Sequence, residues 1–230
     1  MTDCVSGGPR LTKRALSLAI LGAVHRAGRT VHRGNLIGTG YSRGDLAHYL
    51  RRPALSDEER HDAYAAFDDL VRMRLLLQPR VDISAPDDWV TVSPAGLTAL
   101  KRGAIDDLDR ALRELDPRFL EMREGMWVTA LGANPDRARQ AAQSARELID
   151  QVLKEHGVGD TRKQRARSLI TKARGKRSES DEEIIDRTIA LLLAVADKLQ
   201  GESHSRTHDV DRDVSDLLQT TEIALRRLLC

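Results

Sequence analysis

The feature that most constrains this chain is where its aromatic residues stop. The 230 residues hold two Trp, three Tyr and two Phe, and all of them lie at or before Trp127. The stretch from Val128 to Cys230 must therefore pack without one aromatic ring. Single-strand binders built on sheets stack bases on aromatic side chains, so the C-terminal half is not of that kind. It is expected to be a helical bundle cored by Leu, Ile, Val and Ala. An apolar share of 40% and a charged share of 31% belong to a chain that can bury a core.

Charge and cysteine content narrow the class further. Lys and Arg number 37 against 35 Asp and Glu, a net charge of +2, so any nucleic-acid partner must be read from where the cations sit. The only cysteines, Cys4 and Cys230, exclude a disulfide scaffold and a Cys-based zinc site and fit a reducing, cytoplasmic setting. No apolar run approaches the ~18 residues of a membrane span, and the polar opening MTDCVSGGPR does not read as a signal peptide.

The order of elements divides the chain. Thr12 to Ala27 reads as a helix closed by Gly28, and Arg29–His32 as a very short strand. Four glycines between 34 and 44 predict an irregular stretch with a brief helix near Asp45–Leu50. Ser56 caps the next helix, which opens Asp57-Glu58-Glu59. Leu75–Val81 and Trp89–Val92 read as strands around a turn cluster, and Ser93-Pro94 starts a helix that ends at Gly103. Helix, strand, two helices, β-hairpin, helix, with the run WVTVSPAGLTALKRG, resembles a winged helix-turn-helix over residues 11–103.

Residues 104–117 are expected to be a connecting helix ended by Asp116-Pro117, with a helical bundle over 118–230. Asn134-Pro135-Asp136 is a helix start by the pattern of cap, proline and first-turn acid. Ser180-Asp181-Glu182-Glu183 caps a helix, Ile184 to Leu199, that is apolar on nearly every side and so reads as a buried central helix. A break, GESHSRTHD, separates it from a last helix at Val210–Leu229 with an apolar stripe at near-heptad spacing. The fold class is thus mainly α, with a small β-hairpin in the first half.

Three groups of residues carry chemistry. The break offers His204, Arg206 and His208, two imidazoles and a guanidinium able to do acid–base work and to stabilise a phosphorane. The plainer reading is a polar turn whose histidines cap helix ends. The second group is Arg162, Lys163, Arg165, Arg167, Lys172, Arg174, Lys176 and Arg177, single-signed within an otherwise balanced chain, which suits phosphate contact. The plainer reading there is a solvated loop. The third is the winged helix itself, whose helix after Ser56 would enter a major groove. Its first turns hold Asp57, Glu58, Glu59 and Asp62, which repel phosphate, while Arg33, Arg72, Arg74 and Arg80 are better placed for backbone contact. The glycines at 38, 40 and 44 are spaced one residue too long for a dinucleotide fingerprint, and Arg-x-x-x-x-His at Arg43 and His48 falls in the wrong half. No metal site or cofactor is expected.

LDPRF at Leu115–Phe119 and NPDRARQAAQSARELIDQVL at Asn134–Leu153 precede a basic stretch, an apolar helix, a His-containing break and a final helix. In that order they resemble the HEPN superfamily, helical domains of bacterial toxin and antiphage systems, and in particular predicted nucleases associated with prokaryotic PIWI modules. The resemblance implies metal-independent RNA cleavage, pairing of two copies through terminal helices, RNA or DNA as partner, and a protein partner from the same system. Catalytic members carry an Arg followed a few residues later by His. Here Lys198 precedes His204, and Lys lacks the planar fork of Arg. The rival function is a non-enzymatic DNA-binding regulator or protein adaptor that dimerises through the bundle.

Overall fold

The computed structural model describes residues 10–79, 87–174, 179–204 and 211–230, with backbone alone at 172–174, 179–181, 202–204 and 211–213. It is mainly helical, with one small three-stranded sheet, and divides into two compact units, Met1–Ile105 and Asp106–Cys230. Each has its own hydrophobic cluster.

In the first unit, α1 (Lys13–Ala27) starts where the Thr12 hydroxyl accepts the Ala15 N–H and ends at Gly28 in the left-handed conformation. It buries Leu16, Ile20, Leu21 and Val24 on one face. After β1 (Val31–His32) come two single-turn helices, α2 (Arg33–Ile37) and α3 (Asp45–Tyr49), and then α4 (Asp57–Arg72). Ser56 and Glu59 close a reciprocal capping box on α4. The strands β2 (Leu76–Leu77) and β3 (Trp89–Val92) precede α5 (Pro94–Arg102), which Ser93 caps with Pro94 at the first position. The sheet runs β1-β3-β2, all antiparallel, with Val31 opposite Val90 and Leu76 opposite Val92. That register points Val31, Leu76 and Val90 into the core beside Phe67 of α4. The strand expected over 75–81 is two residues long in the structure, because Pro79 cannot extend the ladder, and part of the turn cluster lies outside the described residues.

The second unit consists of α6 (Asp107–Leu115), α7 (Pro117–Ala130), α8 (Arg137–His156), α9 (Arg162–Arg174), α10 (Glu179–His204) and α11 (Asp211–Leu229). Helix α8 packs against α7 and α10, and its Ala141, Ala142 and Ala145 are fully buried, small enough to let the neighbouring helices approach. Leu148, Ile149, Val152, Ile189, Leu192, Leu218 and Leu225 fill the centre.

The structure departs from the sequence-based expectation at four points. The helix of the supposed connector, α6, sinks Leu108 and Leu112 into the second core, so it is a member of that unit rather than a link. Helix α10 is amphipathic, not buried all round: Ile185, Ile189, Leu192 and Leu199 face the core while Ile184, Ala190 and Ala194 are exposed. A run of apolar residues cannot distinguish a central helix from an outer one when small Ala residues make up the solvent side. α10 also starts at Glu179, so Ser180 is not its cap, and it continues through Gly201 to His204. Finally, Asp136 rather than Asn134 is the cap position of α8; Asn134 Oδ1 accepts the Asp136 N–H, closing a turn ahead of the helix.

Candidate nucleic-acid interface

Over Arg162–Arg174 the basic stretch is a helix, not a loop. Ala166, Leu169 and Ile170 of α9 are buried, which anchors it to the bundle and turns the remaining positions outward. Its thirteen residues contain no acid. Neighbouring helices answer part of that charge: Arg162 donates to Asp150 at 2.7 Å, and Arg167 to Glu182 at 3.0 Å and Asp186 at 2.9 Å. Arg165 donates its Nε to the Gly159 carbonyl at 2.8 Å, a contact that orders the side chain without cancelling its charge. Lys163 is exposed. Lys172 and Arg174 lie on the described backbone of α9 without described side chains, and Lys176 and Arg177 lie outside the described residues. The helix thus keeps a surplus of positive charge.

The His-containing break is placed differently from expectation. His204 is the last residue of α10, and Arg206 and His208 lie outside the described residues. Lys198 and His204 therefore occupy one continuous helix, and six residues at ~100° each set those positions about 120° apart around its axis. Lys198 is exposed.

The apolar stripe of α11 is already used. Val214, Leu218, Thr221, Leu225 and Leu228 are buried against α10, α8 and the unit's other helices, so the stripe expected to pair two copies faces its own core. Sequence spacing registers an apolar stripe but not which surface covers it.

In the first unit the acids of α4 are paired within the unit itself. Every acid of α4 has a cation partner: Asp57 pairs with Arg60, Glu58 and Asp62 with Arg10, Glu59 with Arg52, Asp68 with Arg33, and Asp69 with both Lys13 and Arg72. Two of the arginines expected on phosphate are among them. Arg33 donates to Asp68 at 2.9 Å and lies over the rings of Tyr64 and Phe67, while Arg72 donates to Asp69 at 2.6 Å. Of the others, Arg74 is exposed and Arg80 lies outside the described residues. The Asp69 carboxyl is pushed up by burial, but Lys13 and Arg72 outweigh this and hold it below its usual value.

The most organised ionic cluster has no signature in the sequence. Arg123 of α7 spends all five N–H donors. Its Nε and Nη2 grip Glu222 of α11 at 2.8 and 2.9 Å, and its Nη1 and Nη2 grip Asp106 at 3.0 and 3.1 Å. The remaining Nη1 donor reaches Asp109 of α6 at 2.5 Å. Trp127 Nε1 donates to Glu222 at 2.8 Å and Arg226 to Asp106 at 2.7 Å. Asp109 is fully buried and Arg123 nearly so. Burial works against the charge of Arg123, yet Glu222 and then Asp106 hold its pKa well above the ordinary arginine value. Burial likewise pushes Asp106 up, and the hydrogen bonds and charge of Arg123, with Arg226, bring it below the usual carboxylate range. With no donor left for a ligand, this cluster fastens α6, α7 and α11 together. Its members are spread from 106 to 226, and no local pattern links them.

Among the described residues, no three His, Cys, Asp or Glu side chains are arranged to hold a metal ion, and no helix is long and apolar enough to cross a membrane. Compared with known proteins, the chain matches no family model, no curated protein and no solved structure.

Proposed function

We propose that this chain is a nucleic-acid-binding protein of a bacterial defence or toxin-type system, a winged-helix-like unit followed by a HEPN-like bundle, with α9 of the bundle as its phosphate-contacting element. The observation that carries this reading is the acid-free α9, whose apolar residues are buried and whose cations outnumber the acids that reach them. Metal-independent cleavage of RNA by His204, Arg206 and His208 extends the proposal: one imidazole would take the 2′-OH proton and the guanidinium would steady the phosphorane.

A specific observation favours a second reading, a non-enzymatic adaptor. The α4 surface is neutralised by the unit's own arginines and so suits a protein partner better than a DNA groove. A homodimer through the bundle would use faces other than the α11 stripe.

The test is binding of labelled single-stranded RNA by the full chain across a salt series. Lys163, Lys172, Lys176 and Arg177 are changed to Gln, which leaves the bonded Arg162, Arg165 and Arg167 in place. The expected result is weaker binding and a salt slope flatter by ~0.7 for each phosphate that is no longer neutralised. Unchanged binding removes α9 from the interface. Cleavage that survives EDTA and falls ~10²-fold or more in His204→Ala or His208→Ala supports the enzymatic extension, and no cleavage with or without divalent metal leaves the adaptor reading standing.

A further inference from the structure

The segment between α2 and α3 has no role in the fold that its exposed chemistry requires. Gly38 and Gly44 press together there. A Cβ on Gly44 would stand 2.4 Å from the Ile37 carbonyl carbon and 2.5 Å from the Gly38 nitrogen, and Gly38 has a φ of +84°. Between them the chain is tied by its own bonds. Thr39 N–H donates to the Ser42 carbonyl at 3.0 Å, and the Thr39 hydroxyl accepts the N–H of Tyr41 at 3.2 Å and of Ser42 at 3.1 Å. The tip of this braced loop is Tyr41, whose side chain is fully exposed. The contrast with Tyr49 is direct: its hydroxyl end lies against α1 where Gly22 leaves room.

Cations lie on the loop of Tyr41 and at the end of α3 to which that loop is tied. Arg43 donates to the Arg52 carbonyl, which draws the loop to the end of α3 and leaves the guanidinium charge uncancelled. Arg51 is exposed and makes no ion pair among the described residues, and His48 is exposed beside it. Asp45 is the one acid between 38 and 52. Arg51 also stands at φ +57°, closing α3 with its N–H on the His48 carbonyl and that of Arg52 on the Ala47 carbonyl. This is the Schellman position, which glycine fills without strain. The strain at Arg51 leaves an uncancelled, solvent-facing charge on the same corner as Arg43, whose guanidinium bonds the carbonyl of the next residue, Arg52.

We infer that this corner, residues 39–43 with 48–52, is a second binding site, specific for single-stranded nucleic acid: Tyr41 stacks on an unpaired base while Arg43 and Arg51 contact the flanking phosphates. The hydrogen-bonded backbone beneath Tyr41 spares the ordering of the loop on binding, leaving only the ring's own rotation to be fixed, and every base offers a face to it. Duplex offers no free base face except at its ends. The inference rests on the nucleic-acid reading above but names a site in the other unit, independent of α9.

The experiment uses the full chain and a fluorescein-labelled oligouridylate of about twelve nucleotides, read by anisotropy. Tyr41→Ala weakens binding about tenfold or more, and Tyr41→Phe stays within twofold of the parent, because stacking needs the ring and not the hydroxyl. Arg51→Gly weakens binding a few-fold while raising the melting temperature, which separates loss of charge from loss of fold. Unlabelled single strand competes, and duplex of equal length competes at least tenfold less well. Equal binding by Tyr41→Ala and the parent, with weaker binding on changing Lys163, Lys172, Lys176 and Arg177, overturns this site and leaves the α9 reading intact. Equal competition by duplex overturns the stacking role. A parent that holds no oligonucleotide overturns both.

Discussion

The two units handle the same difficulty, acids in a helical framework, in opposite ways. In the first, α4 carries most of its acids at the surface, with Glu59 buried and Asp69 mostly so, and each is answered by a long cation reaching in from another element or from one turn away. Arg52–Glu59 apart, at least one partner of these pairs is open to water; Lys13 and Arg72 are well exposed, and exposed pairs contribute ~0–1 kcal/mol each. The second unit gathers Asp106, Asp109 and Glu222 around one buried guanidinium. A buried cluster of this kind adds little over an apolar core, yet it is costly to break, since removing one partner strands the others. The first unit uses its charges to make a face neutral; the second uses them to hold three helices in one arrangement.

Breaking the buried cluster gives the largest expected effect. Arg123→Met leaves Asp109 and its neighbours without their cation and is expected to destabilise the second unit by about 3–5 kcal/mol. Arg10→Met, which removes the partner of Glu58 and Asp62, is expected to cost the first unit less than about 1 kcal/mol. The chain supplies its own reporters, since Trp89 belongs to the first unit and Trp127 to the second. Urea unfolding followed by fluorescence in Trp89→Phe and Trp127→Phe backgrounds reads the units separately. Equal losses for Arg123→Met and Arg10→Met would erase the distinction.

A packing change in the first unit comes next. A Cβ on Gly96 of α5 would meet the Leu75 carbonyl oxygen at 2.1 Å. That atom also accepts the Ser93 N–H at 3.0 Å, so it cannot move without disturbing the start of the helix. Gly96→Ala is expected to cost about 1–3 kcal/mol in the first unit and nothing in the second.

How much of this was legible in the sequence depends on how local the cause is. Ser56, Ser93, Pro94, Gly28 and Gly103 act within a turn of themselves, and the helix boundaries they set match the structure. The absence of rings after Trp127 foretold an aliphatic bundle; the core is mostly aliphatic, but α7 adds to it the fully buried Phe119 and Met126, with Trp127 packed against it. What the sequence concealed depends on contacts distant along the chain. The Asp106–Arg123–Glu222 set spans more than a hundred residues, and the membership of α6 in the second core rests on Leu108 and Leu112 meeting that unit's helices. The basic stretch was visible as charge, but its pairing with Asp150, Glu182 and Asp186 was not. The exposure of Tyr41 could have been suspected from its place between glycines, since a ring flanked by turn residues has little to pack against.

Acid sharpens the comparison with a smaller effect. Asp69 and Asp106 both have folded pKa values below the usual one, so each adds stability that is fully present above its unfolded value of ~3.9 and is lost as pH falls through the lowered folded value. Both units should therefore weaken below about pH 4. Salt separates them, because exposed Lys13 and Arg72 are screened where the buried Arg123 is not. In about 0.5 M salt the pH dependence removed by Asp69→Asn should shrink by about half or more, while that removed by Asp106→Asn should persist. Equal salt sensitivity would mean the buried cluster is open to solvent.

The smallest expected effect has the opposite sign. Arg74 closes α4 as Arg51 closes α3: its N–H bonds the Val71 carbonyl, Leu75 N–H bonds the Leu70 carbonyl, and its φ is +57°. It is exposed and makes no ion pair among the described residues. A side chain in the left-handed region costs ~1–2 kcal/mol, and glycine gives back ~0.4–1 kcal/mol of that through the greater freedom of the unfolded chain. Arg74→Gly should therefore stabilise the first unit by about 0.5–1 kcal/mol, read from Trp89 fluorescence in the Trp127→Phe background, and leave the second unit unchanged. A gain at Arg74 without weaker nucleic-acid binding, set beside a gain at Arg51 with weaker binding, would show that the two arginines share a backbone strain but not a use. A loss of stability in Arg74→Gly would mean that its side chain holds the first unit together through an interaction stronger than the strain it bears.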